Sequence, residues 1–168
     1  SDGRSSGSAR AVPAVISTKK APVKPIEVIV DDDLFDVTRL DDGYYKAFDR
    51  VLLEVCCGED SLMLSPTELS DGCICVRLTE RHDLISKIGL RQGLDALNLA
   101  DYLALPVLVW ISIPCTGGSS WQRINKVEGP DTEEKIRKHR ELFSKLLPNA
   151  LKIATSAILS GVGKVVIE

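Results

Sequence analysis

The residue types best suited to chemistry crowd into one stretch, Ile113-Pro-Cys-Thr-Gly-Gly-Ser-Ser-Trp-Gln-Arg123. Cys115 is a candidate nucleophile, because a thiolate attacks well when it is exposed and held near cations, and Arg123 is the nearest candidate cation in the sequence. Its bland alternative is a small buried residue at the end of a strand. Thr116, Gly117, Gly118 and Ser119 offer hydroxyls and backbone amides to a substrate. Trp121 offers a ring that could stack on a base or close over its own loop. The Gly117-Gly-Ser-Ser run lacks the Gly-Lys-Ser/Thr ending of a triphosphate-binding loop, which argues against a nucleotide triphosphatase. A second group closes two other apolar runs: Glu54, Cys56, Cys57 and Gly58 at the end of the first, Glu80 and Asp83 beyond the second. Cys56, Cys57, Cys73 and Cys75 have spacings unlike those of structural zinc sites, and His82 and His139 have no partner at ligand spacing, so no metal is expected.

These residues need strands and helices to position them. Val107 to Ile113 is a continuous β-branched and aromatic run, as in a strand covered on both faces, and Pro114 ends its ladder. Arg50 to Cys56 and Cys73 to Leu78 read as two further buried strands, and Lys164 to Glu168 as a fourth. Ile26 to Val30 has the pattern of a short edge strand. Between them, Ser65-Pro-Thr-Glu68 offers the start of a short helix that Asp71-Gly72 must end. Ile85, Ile88, Leu90, Leu94 and Leu97 recur at helical spacing, which predicts a crossover helix from about Leu84 to Ala100. Asp131-Thr-Glu-Glu134 predicts a long helix whose buried face carries Ile136, Phe143, Leu147, Ala150, Ala154 and Ile158, with Pro148 kinking or dividing it. The alternation of strands and helices specifies an α/β fold, a Rossmann-like doubly wound parallel sheet with right-handed crossovers. Ligands of such sheets bind at the carboxyl ends of the strands.

Composition sets the remaining bounds. In 168 residues, 44% apolar and 27% charged content fits one soluble domain, and no apolar run approaches the length of a membrane span. Five cysteines lying mostly in apolar segments suit reduced thiols, so an intracellular setting, nucleus or cytoplasm, is expected. A net charge of −3 makes no global case for nucleic acid, although a local basic groove would be averaged away. Residues 1–25, with three prolines and a basic balance, read as a flexible linker, and 26–49, with seven aspartates, as an acidic lead-in. Residues 50–168 form the α/β domain, expected to be incomplete because the last strand runs to the final residue.

The order of these motifs from Arg50 onward resembles the catalytic half of the class I S-adenosylmethionine-dependent methyltransferases, and among them the C5-cytosine DNA methyltransferase type. The resemblance implies that Leu53-Glu-Val-Cys-Cys-Gly-Glu-Asp-Ser61 stands in place of the family's glycine-containing cofactor loop. There Gly58 matches, and Glu59, Asp60 and Ser61 replace small residues. It implies cofactor contacts from Glu54, Cys56, Cys57, Gly58 and Pro114, a ribose-binding carboxylate at Glu80, and a polar group near the adenine at Asp83 or Asp101. Ile113-Pro-Cys115 matches the family's Pro-Cys, whose thiolate adds to C6 of a flipped-out cytosine, and Glu168 falls where the family has a glutamate contacting the base. Thr116, Gly117, Gly118, Ser119, Trp121 and Arg123 would then meet the substrate. The implied cofactor is S-adenosylmethionine and the implied partner DNA or RNA, with no membrane. The rival expectation is an inactive methyltransferase-like binding module within a larger polyprotein or mobile-element product.

Overall fold

The computed structural model of the chain describes residues 23–28, 45–65, 70–114, 130–161 and 163–168. Most of the linker at 1–25 and of the acidic segment, the expected helix start at Pro66-Thr-Glu68, and the loop from Cys115 to Gly129 lie outside the described residues. The described elements are β1 (Ile26–Val28), β2 (Arg50–Val55), β3 (Cys73–Leu78), α1 (Lys87–Tyr102), β4 (Val107–Ile111), α2 (Pro130–Leu159) and β5 (Gly163–Ile167), with short 3-10 turns at Leu62–Leu64 and Glu80–His82. All strands pair in parallel, in the order β1-β3-β2-β4-β5. This is the α/β, Rossmann-like parallel sheet that the strand and helix alternation predicts. β1 precedes β2 in the chain yet lies beyond β3, so the segment read as a lead-in contributes an edge strand to the sheet. The fork of Arg77 helps to hold β1 there, with Nε and Nη2 donating to the two carboxylate oxygens of Glu27 at 2.7 and 2.8 Å.

The sheet winds both ways from β2. The step from β2 to β3 goes to one side; those from β3 to β4 and from β4 to β5 go to the other. Both helices consequently pack on one face, where the odd residues of β2 and β4 and the even residues of β3 point: Val51, Leu53, Val55, Ile74, Val76, Leu78, Val107, Val109 and Ile111. The other face carries Leu52, Glu54, Cys73, Cys75, Leu108 and Trp110, and Met63, from the connection between β2 and β3, packs against its apolar part.

Two expectations about the buried faces of the helices need correction. The long helix α2 runs unbroken through Pro148, so it is not divided there. Its buried side is Ile136, Leu146, Ala150, Ile153, Ala154 and Ala157, whereas Ile158 is 60% exposed, on the flank of the helix. In α1 the large apolar residues expected inside are not the innermost, although Leu99 is fully buried. Ile88 is exposed and Leu90, Leu94 and Leu97 are half-buried, while Gly89, Gln92, Gly93, Ala96, Leu99 and Ala100 are buried. The close approach of backbones explains this reversal. A Cβ on Gly89 would run into the carbonyl oxygens of His82 and Asp83, and one on Gly93 would run into Ile153 Cδ1 on α2. Small residues line that face because helix, turn and neighbouring helix leave no room for more.

Gly93→Ala is therefore expected to destabilise by about 1–3 kcal/mol despite its gain in helix propensity, because side-chain ends must shift. Gly89→Ala is expected to cost more, since backbone carbonyls stand in the way. Urea denaturation of both variants checks the order, and stabilisation by either would contradict the packing.

Candidate functional site

At the carboxyl ends of β2 and β3 the chain opens a cavity of about 510 Å³, within the usual size range of small-molecule sites. Its walls come from successive parts of the fold. Cys56, Cys57, Gly58 and Glu59 follow β2; Thr79, Glu80, Asp83, Leu84 and Ile85 follow β3; Pro114 follows β4; and Leu142 and Leu146 come from α2. The location follows from the winding. The connection leaving β2 runs toward β3 and the one leaving β4 runs toward β5, so a crevice is left at the carboxyl ends between these neighbours, bordered by Cys56 to Glu59 and by Pro114.

Local sequence shapes each wall. Cys56 has a left-handed backbone, φ 61°, which turns the chain sharply away from β2. Asp83, φ 35°, does the same after the 3-10 turn of Glu80–His82. Non-glycine residues adopt this region at a cost, and two of the three that do so among the described residues line the cavity. The turn after β3 is braced by His82, whose Nδ1 accepts the Thr79 amide at 3.0 Å, so this histidine has a structural role. Ser86 caps α1 by accepting from the Gly89 amide at 2.9 Å. Asn149 on α2 donates to the Leu84 and Ile85 carbonyls at 2.8 and 3.3 Å, which fastens the loop to the long helix.

Six of the residues expected at a cofactor, Cys56, Cys57, Gly58, Glu80, Asp83 and Pro114, come together around this one cavity. Glu54 does not. Strand alternation turns its side chain onto the second face of the sheet, where it is 1% exposed and accepts from the Ser61 hydroxyl at 2.6 Å. Its role is to hold the turn after β2, which accounts for serine at 61, and its Oε2 has no partner among the described residues. Arg77 braces the same turn by donating from Nη1 to the Glu59 carbonyl at 2.9 Å. An arginine inside an apolar strand was the sequence signal for that brace. Glu168 is exposed at the end of β5 and does not line the cavity. Cys115, Thr116, Gly117, Gly118, Ser119, Trp121 and Arg123 lie outside the described residues. Leu142 and Leu146 could not be assigned to the site from sequence, because only tertiary packing brings α2 over the strand ends.

The electrostatics of the cavity are one-sided. Its described lining has three carboxylates, Glu59, Glu80 and Asp83, and no lysine or arginine, although Arg81 stands beside Glu59 as its ion-pair partner. Such a lining suits hydroxyl groups or a cation better than a phosphate. The thiols are not reactive groups. Burial pushes Cys56 and Cys57 up to about 11, and Cys75 up to about 12, so all three are neutral at physiological pH. Cys57 Sγ instead lies near the Glu54 and Leu78 carbonyls, at 4.0 and 3.9 Å, and joins β2 to β3 at the floor of the cavity. Among the described residues no cluster of His, Cys, Asp and Glu is arranged to hold a metal ion.

These thiols link stability to pH. Unfolded, they ionise near 9.0; folded, they keep their protons to about 11. In that window the folded state binds more protons, so stability is full below about pH 9 and falls as pH rises, by roughly 1–2 kcal/mol for each thiol after allowance for solvent screening. Urea denaturation between about pH 8 and about pH 11 is expected to show the decline, and Cys57→Ala is expected to flatten it. An unchanged slope in that variant would clear Cys57 of the effect. No helix among the described residues is long and apolar enough to cross a membrane. No protein-family model matches this chain, and neither a curated protein nor a solved structure does.

Proposed function

We propose that the cavity binds S-adenosylmethionine and that the domain serves methyl transfer to a nucleic-acid base. The observation that carries this reading is the meeting of the Cys56-Cys57-Gly58 turn with Glu80 and Asp83 around one crevice that the described residues line with carboxylates but no basic side chain. A dinucleotide or triphosphate would bring its negative charge against those carboxylates. S-adenosylmethionine brings a sulfonium, an ammonium and a ribose diol, which such a lining favours.

In this reading the backbone of Cys56 to Gly58 lies along the cofactor, and Glu80 accepts from the vicinal ribose hydroxyls, a task suited to a carboxylate with two oxygens. Leu84, Ile85, Leu142 and Leu146 supply the apolar surface for a flat base. When bound, the cofactor supplies an electrophilic methyl group. Pro114 lies in the cavity wall, and in the sequence Cys115 is the residue that follows it. Its thiolate would add to C6 of a cytosine and make C5 nucleophilic. Glu168, away from the cavity lining, is assigned no step.

The rival reading, a binding module without chemistry, is favoured by Glu59 and Asp60, which stand where the resembling family has small residues. Asp60 Oδ1 lies 2.7 Å from where a Cβ on Gly58 would sit, so this turn is already crowded. Calorimetry with S-adenosylmethionine is expected to show binding that Glu80→Ala weakens about tenfold, as loss of a charge-assisted hydrogen bond implies. Absence of binding at millimolar cofactor would overturn the reading. A 5-fluorocytosine oligonucleotide is expected to trap a covalent adduct that Cys115→Ser abolishes. Cofactor binding without any adduct would favour the module.

A further inference from the structure

The described lining of the cavity has no lysine or arginine, yet an arginine joins two of its walls. Arg81 directly follows Glu80 beyond β3, and its side chain reaches Glu59 beyond β2. The contact is fork to fork: Nε lies 2.5 Å from Oε1, and Nη2 donates to Oε2 at 3.1 Å. Such two-point pairing is the geometry in which a guanidinium selects a carboxylate.

The pair is not what shapes the cavity. Arg77 already fixes the Glu59 backbone by donating to its carbonyl at 2.9 Å, and the hydrogen bond from Ser61 to Glu54 holds the other end of the same turn. The turn after β3 is braced separately, by the Thr79 amide on His82 Nδ1. Both side chains of the pair are mostly exposed, 79% for Arg81 and 60% for Glu59, so water screens their attraction and little stability rests on it. Braced backbones thus carry an ion pair whose partners exchange at low cost.

S-adenosylmethionine carries one negative group, the carboxylate of its amino-acid end. Glu59, Glu80 and Asp83 in the lining all repel that group, so it requires a cation. We propose that Arg81 is the residue that recognises it. The ligand carboxylate displaces that of Glu59 from the guanidinium fork, and Glu59, once released, turns to the ligand's ammonium. One ion pair within the protein is replaced by two with a zwitterion, and no charge is left without a partner. The exchange selects an α-amino-carboxylate group. A nucleotide offers a phosphate to Arg81 but no ammonium to Glu59, and a nucleoside leaves the pair as it stands. This inference rests on the reading of the cavity as a site for S-adenosylmethionine, and it adds the residue that distinguishes the amino-acid end of that ligand.

Calorimetry on the full chain compares S-adenosylmethionine with its decarboxylated analogue, which keeps the sulfonium, the amine, the ribose and the adenine. The analogue is expected to bind about tenfold more weakly, since one charge-assisted pair is lost. Arg81→Met is expected to weaken S-adenosylmethionine by a similar factor and to leave the analogue bound at least as tightly, because Glu59 then meets the amine without an exchange. Undiminished binding of the analogue also shows that the variant is folded. Glu80→Ala is expected to weaken both ligands alike, since both carry the ribose diol. Equal binding of the two ligands by the unmodified chain would overturn the proposal, and so would an Arg81→Met variant that weakens both alike. In either case the cofactor reading stands. Binding of neither ligand would overturn both.

Discussion

Helix α1 starts so close to the turn after β3 that nothing larger than a hydrogen fits between them. The α carbon of Gly89 faces the carbonyls of His82 and Asp83, and one turn later Gly93 faces Ile153 on α2. This contact governs much of the fold. It seats α1 against both the sheet and the long helix, beside the left-handed exit of the Glu80 to Asp83 turn. Close-packed interiors transmit such constraints, since neither helix can slide without opening a void.

The two faces of the sheet do different work. Two helices bury one face, and the rigidity that follows is what a binding crevice requires. The second face holds a polar row in which Arg77 and Glu54 are register partners. They form no ion pair with one another. Arg77 grips Glu27 on the edge strand and the Glu59 carbonyl, while Glu54 takes the Ser61 hydroxyl. Both therefore clamp the turn that follows β2 from beneath. The turn is positioned by side chains that never reach the cavity.

Much of this is legible in the sequence. The four main strands follow from β-branched runs, and their limits agree with the folded chain to within a residue or two. The positions of the candidate site residues at strand ends follow as well, because Cys56, Glu80 and Pro114 each stand just beyond an apolar run. Where sequence and structure part, the origin is shared. Helical spacing places Ile88 and Ile158 on buried faces because large apolar residues usually lie there, whereas the innermost face of α1 consists largely of glycine and alanine. Periodicity reports which residues dislike water. It does not report how closely two backbones approach. Glu54 precedes the turn and so reads as a cofactor contact, although the pleat of β2 directs it to the opposite face.

By itself the sequence determined the fold class, the strand limits and the succession of turns that carry acids and thiols, since these depend on local pattern and on the period of a strand or helix. Only the tertiary structure decided that β1 crosses to the far side of β3, that α2 supplies one wall of the cavity, and that the thiols of Cys56 and Cys57 are held neutral by burial. Each of these depends on which distant segments share a neighbourhood, and that is set by the direction of winding and the close fit of small residues.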